Sequence, residues 1–68
     1  MPFVNIKVTK EGVTREQKLK LIKGVTDLLQ EVLNKDPQTT HIVIDEVELE
    51  NWGFAGMQTD DYRKLKST

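Results

Sequence analysis

Pro2, directly behind the initiator Met1, offers the most unusual chemistry in this 68-residue chain. With Met1 removed, its nitrogen stops being an amide and becomes a secondary amine held in a ring. Such an amine is a good base and a possible nucleophile, with its lone pair fixed in a rigid frame. Removal of Met before a residue as small as Pro is the usual cellular outcome, so the mature chain is expected to begin at Pro2. While Met1 remains, the same nitrogen is a tertiary amide with no usable lone pair. Proline makes up about one residue in twenty in any protein, so Pro2 gains meaning only from the elements that follow it.

The other reactive groups are few. There is no Cys, which excludes a disulfide framework and a thiolate metal site. The single His41 has no His, Asp or Glu cluster at ligand spacing around it, so no metal site is expected. Ten Lys and Arg against eleven Asp and Glu give a net charge of −1 with both signs scattered, and no basic stripe marks a nucleic-acid binder. Lys18, Lys20 and Lys23 are broken up by apolar residues and read as a solvated helix face. The opening MPFVNIKV lacks a basic stretch followed by a long apolar run, and no apolar segment approaches membrane length. A soluble, cytoplasmic protein that binds neither nucleic acid nor membrane is therefore expected.

The elements that must position Pro2 are legible in the patterning. From Phe3 to Thr9 the residues alternate, with Val4, Ile6 and Val8 on one face and Phe3, Asn5 and Lys7 on the other, which predicts a strand. Lys10-Glu11-Gly12 is a turn. Thr14 with Gln17 three residues later forms a capping box, so a helix is expected from about Arg15 to Leu33. Asn34 and Pro37 end it. A second strand is expected from Thr39 to Val47, with β-branched Ile42, Val43 and Ile44 at its centre. Strand, helix and strand with short links make a right-handed βαβ unit with parallel strands. Trp52-Gly53-Phe54-Ala55-Gly56 predicts a short hairpin or bulged strand, and residues 57–68 a polar tail, partly ordered or frayed. The whole is one small α+β domain over residues 1–68.

This arrangement carries more apolar surface than it can cover. At about 100° per residue the helix shows two stripes, Leu19, Ile22, Leu29 and Leu33, and Leu21, Val25, Leu28 and Val32. Together they are wider than the ~100° face that one sheet requires. The second strand is apolar on both faces, Ile42 and Ile44 on one and Val43 and Val47 on the other. Parallel strands need cover on both sides, and this chain has one long helix to give. Assembly with further copies is the expected solution, against the plainer one of a two-layer domain with a greasy helix.

The combination of an N-terminal Pro opening a strand (PFVNIKV), a capped helix with Glu16, Gln17 and Lys18 in its first turn, a strand reading IVIDEV and an NWGFAG segment resembles the 4-oxalocrotonate tautomerase family. The similarity spans Pro2 to about Gly56. It implies a β-α-β protomer assembled as dimers that build a hexamer, with no cofactor. It also implies a catalytic N-terminal proline that moves a proton between oxygen and carbon in a small enol carboxylic acid. Pro2 matches the catalytic position. Trp52 falls where the family carries a Phe, a wall for the pocket. The family's two carboxylate-binding arginines are replaced: Val13 stands at the first and His41 at the second, with Lys10 the nearest substitute for the missing cation and Arg15 close by on the helix surface. The first strand is one residue longer before Gly12. These departures point to a substrate needing fewer cations than a dicarboxylate, or alternatively to a non-catalytic, oligomeric small-molecule-binding protein of the same fold.

Overall fold

The computed structural model describes residues Met1–Ser67. Strand β1 (Phe3–Thr9) is followed by helix α1 (Arg15–Leu33), a 3-10 turn at Pro37–Thr39 and strand β2 (His41–Val47). A second 3-10 turn at Leu49–Asn51 leads into a hairpin of β3 (Gly53–Phe54) and β4 (Met57–Gln58), and helix α2 (Thr59–Ser67) closes the described chain. β1 and β2 pair in parallel over seven steps, from Phe3 opposite His41 to Thr9 opposite Val47. This is the expected βαβ unit with a C-terminal hairpin.

Local chemistry sets the boundaries of α1. The Thr14 hydroxyl accepts from the Gln17 N–H at 3.1 Å while the Gln17 side chain accepts from the Thr14 N–H at 2.9 Å, so the capping box is complete. At the other end Asn34 takes a left-handed conformation, φ 54°, and its N–H reaches back to the Gln30 carbonyl at 2.9 Å. The second strand starts later than the β-branched run suggests. Asp36 caps the Gln38 N–H at 2.9 Å, and Pro37 opens a 3-10 turn that takes Thr39 out of the strand. Residues 55 and 56 both have positive φ, 56° and 73°, the geometry of a tight two-residue hairpin turn.

Of the segment expected to be a polar tail, residues 57–67 form β4 and α2, and Thr68 lies outside the described residues. The carbonyl of Trp52 accepts from the Thr59 N–H at 2.9 Å and also from the Thr59 hydroxyl. Thr59 is only 2 % exposed, and Tyr62 one turn later packs its ring on Phe54 with centroids 4.4 Å apart. Asp60 and Asp61 in the first turn and Lys64 and Lys66 in the last suit the helix dipole.

Val4, Ile6 and Val8 of β1 and Ile42 and Ile44 of β2 lie half-buried under α1. The helix meets the sheet along Lys18, Val25 and Leu29, a line between the two expected stripes. Lys18, read from sequence as solvated, is half-buried instead and forms an ion pair with Glu46 of β2. The rest of each stripe flanks this line and remains open: Leu19 is 62 % exposed, Leu28 56 % and Val32 67 %. No apolar side chain among the described residues is fully buried. The chain measures 48 × 24 × 16 Å with a radius of gyration of 15.8 Å, whereas a packed globule of this length would have about 11 Å. No helix among the described residues is long and apolar enough to cross a membrane.

Replacing Thr14 by Ala removes the capping box and should lower stability by about 1 kcal/mol. Chemical denaturation followed by circular dichroism measures this, with the midpoint moving and the slope unchanged.

Candidate active site

Pro2 sits at the first rung of the parallel ladder. Its carbonyl accepts from the His41 N–H at 3.0 Å, so the backbone of β2 fixes the position from which the chain enters β1. Pro2 is half-buried. The next residue, Phe3, is 66 % exposed on the face of the sheet that α1 leaves open, directly across from His41. Side chains alternate along a strand, so Phe3, Asn5 and Lys7 of β1 share this face with His41, Val43 and Asp45 of β2. Its middle is polar: Asp45 accepts from the Asn5 amide and the Lys7 ammonium, both at 2.9 Å. The two donors, Asn5 foremost, hold the Asp45 carboxyl below the usual aspartate range. The end next to Pro2 is formed by the Phe3 and His41 rings with Val43 beyond.

Lys10 lies at the opposite end. Its N–H extends the ladder by one bond, to the Val47 carbonyl at 2.7 Å, and its ammonium meets Glu48 at 3.2 Å. Trp52 belongs to the same end, half-buried beyond the 3-10 turn that follows Glu48, with its carbonyl held by Thr59. Eight residues at about 3.3 Å each separate Pro2 from Lys10 by roughly 25 Å. The four candidate residues therefore fall into two pairs at the two ends of one sheet: Pro2 with His41, and Lys10 with Trp52. Two surface hollows along α1 take up none of them; one is lined by Val13, Gln17, Lys20 and Leu21 and the other by Arg15, Lys18, Leu19 and Ile22.

A further cation joins the Lys10 end. Arg63 of α2 reaches across 52 residues of sequence to Glu11, with its second nitrogen 3.4 Å from the other carboxylate oxygen, and Glu11 also accepts from the Thr9 hydroxyl. The Arg63 guanidinium, and secondarily Thr9, hold the Glu11 carboxyl below its ordinary value, while Glu11 raises that of Arg63. Nothing in the local pattern around residue 63 announces this pairing; it depends on α2 folding back. The turn that carries Glu11 is made possible by Gly12, whose φ of 85° favours glycine.

Comparison with known proteins places this geometry. A family model described as tautomerase enzyme matches residues 2–62. The chain is 55% identical over 67 residues to probable tautomerase K2 of Dickeya dadantii, covering 98% of this chain and 100% of that protein. Its fold superposes on the crystal structure of DmpI from Helicobacter pylori with a TM-score of 0.85 at 45% identity, covering 93% of this chain and 97% of that one. It superposes on a 4-oxalocrotonate tautomerase isozyme structure from Methylibium petroleiphilum with a TM-score of 0.78 at 34% identity, covering 87% and 94%. A βαβ unit opened by proline, matched over almost its whole length, defines a tautomerase-type protomer. The chain belongs to the tautomerase family.

Because the folded Glu11 carboxyl lies below its unfolded value, its contribution to stability is complete above the ordinary glutamate range and is lost as pH falls through the lowered value. Arg63→Ala should move the Glu11 midpoint upward toward that of a free glutamate. Side-chain carboxyl carbon NMR across an acid titration reads this directly.

Proposed function

We propose that the mature chain, beginning at Pro2, is an enol–keto tautomerase in which the prolyl nitrogen is the general base. It removes the hydroxyl proton of a small unsaturated 2-hydroxy acid and delivers a proton to a carbon further along the conjugated system. The product is the 2-oxo acid. The reaction is a proton transfer and calls on no redox group. The observation that carries this reading is the placement of Pro2: half-buried and held by the His41 N–H beside the Phe3 and His41 rings, in a chain of the tautomerase family.

A base for this chemistry works best when its pKa is close to the working pH. An α-amino group has a reference value of about 7.7–8.0, and a prolyl amine is intrinsically somewhat more basic. Apolar walls and neighbouring cations both disfavour an ammonium. Phe3 supplies such a wall at the Pro2 end and Trp52 supplies one at the other. His41 donates a hydrogen bond to a substrate oxygen, and Lys10 attracts a carboxylate as a point charge without the fork of an arginine. This set suits an enol acid with a single carboxylate.

The roughly 25 Å between the ends of the sheet means that one chain cannot place Lys10 and Trp52 against its own Pro2. The open sheet face, the flanks of α1 and the absence of a fully buried apolar side chain among the described residues call for the same remedy. Copies associate, in dimers that build a hexamer, so that the Lys10 and Trp52 end of one protomer closes over Pro2 and His41 of another. The assembled enzyme works in the cytoplasm on a small carboxylic acid, without nucleic acid or membrane.

Turnover of phenylenolpyruvate or 2-hydroxymuconate by Met-processed protein tests the base. Pro2→Ala should lower kcat by 10²-fold or more, the usual range for a positioned base, with the assembly intact; unchanged turnover removes the proposal. Light scattering should find two or more copies of the 7.8 kDa chain per particle at micromolar concentration, and a monomer there would contradict the shared site.

A further inference from the structure

Two cations stand at the Lys10 end of the sheet, and each is already holding a carboxylate of the chain itself. Lys10 holds Glu48 and Arg63 holds Glu11. Lys10 and Glu11 are neighbours in the turn after β1, so the two pairs start from adjacent backbone positions. Both are wet: the side chains are 57% and 56% exposed in the first and 53% and 40% in the second. Exposed pairs of this kind contribute little to stability and exchange partners cheaply.

Arg63 is not there by accident of a loose tail. Residues four apart share a helix face, so Arg63 lies on the same side of α2 as Thr59. Thr59 is the one fully buried residue among those described, pinned by its N–H to the Trp52 carbonyl. The Phe54–Tyr62 ring contact fixes the neighbouring position. The guanidinium is thus carried by an anchored helix to the turn beside Lys10 and on the Trp52 side. Guanidinium presents five donors in a planar fork matched to a carboxylate. Glu11 has the shape and charge of the ligand that such a fork would take.

We propose that Arg63 is the residue that binds the substrate carboxylate, with Glu11 as its internal stand-in, displaced when an anionic substrate arrives. The assignment rests on the tautomerase reading above, in which this end of one protomer closes over Pro2 of another. It makes the substrate class an enol acid whose carboxylate is gripped by a fork from α2 and a point charge from Lys10. Glu11 keeps the fork oriented in the empty site and competes with weakly charged ligands, so neutral enols are rejected.

A structural clasp and an anion site predict opposite signs for the two partners. If Arg63 and Glu11 only fasten α2 to the turn, removing either one has the same effect. If Arg63 binds substrate, removing it weakens binding while neutralising Glu11 strengthens it. The experiment uses the assembled, Met-processed protein and 3-phenylpropionate, a carboxylate without an enol, whose binding is independent of proton transfer at Pro2. Isothermal titration should show Arg63→Ala weakening binding about tenfold to a hundredfold, the usual effect of losing a charge-assisted hydrogen bond. Arg63→Lys should recover part of it, and Glu11→Gln should bind as tightly as the parent or more tightly. With phenylenolpyruvate the same changes should appear in KM and leave kcat nearly constant. In the unmodified protein, the Arg63 side-chain nitrogen signals should shift and saturate with 3-phenylpropionate, which needs no variant to fold. Equal weakening by Arg63→Ala and Glu11→Gln, or no shift of the Arg63 signals, overturns the assignment. A failure of Pro2→Ala to affect turnover would leave these binding results standing and count against the base alone.

Discussion

Seven rungs of parallel pairing govern everything else in this chain. β1 and β2 run in the same direction from Phe3 opposite His41 to Thr9 opposite Val47. Parallel pairing requires a crossover, and α1 supplies it, covering one face. The same pairing fixes Pro2 beside His41 at the first rung and carries Lys10 to the last. A protein with one long helix and two such strands has a bare sheet face and a helix that is apolar beyond the line it buries. It also has its candidate site residues at opposite ends. The proposed self-assembly would answer both problems together: covering the apolar faces would bring one chain's far end to another chain's proline.

Stability and function are therefore hard to separate here. No apolar side chain among the described residues is fully buried, so the protomer alone supplies little hydrophobic stabilisation, and the proposed contacts between copies would supply the rest. Ordering within the protomer relies on polar devices: the Thr14 capping box, the left-handed Asn34, the Lys18–Glu46 pair under the helix and the Thr59 bonds to Trp52. The C-terminal hairpin and α2 form a small satellite around Trp52, Phe54, Thr59 and Tyr62, tied to the turn after β1 by Arg63 and Glu11.

Much of this was legible in the residues, and the physical reason is locality. The Thr14–Gln17 box and Asn34 are decided within a few residues, so both ends of α1 were readable to the residue. The alternation of β1 divided its residues between two faces as the structure has them, the half-buried Val4, Ile6 and Val8 on one and the exposed Phe3, Asn5 and Lys7 on the other. Where a non-local contact decides, the pattern is silent or misleading. Thr39 has strand character, but Asp36 and Pro37 hold it in a 3-10 turn. Lys18 looked solvated because Glu46, its partner, comes from a strand 28 positions on. Residues 59–67 are polar almost throughout, and their helix depends on Thr59 docking under Trp52. The Glu11–Arg63 pair is invisible without that docking. Pro2, Lys10, His41 and Trp52 could be named from the chain only as candidates, and their division between two ends follows only when strand direction and register are combined.

The account stands or falls on the state of one nitrogen. The direct measurement is turnover of phenylenolpyruvate by two preparations of the same sequence, one trimmed to begin at Pro2 and one retaining Met1, each verified by intact mass and by assembly size. The trimmed protein should interconvert enol and keto forms, and the form retaining Met1, whose prolyl nitrogen is an amide, should be inert. Equal rates from the two would show that the proton is moved by some other group.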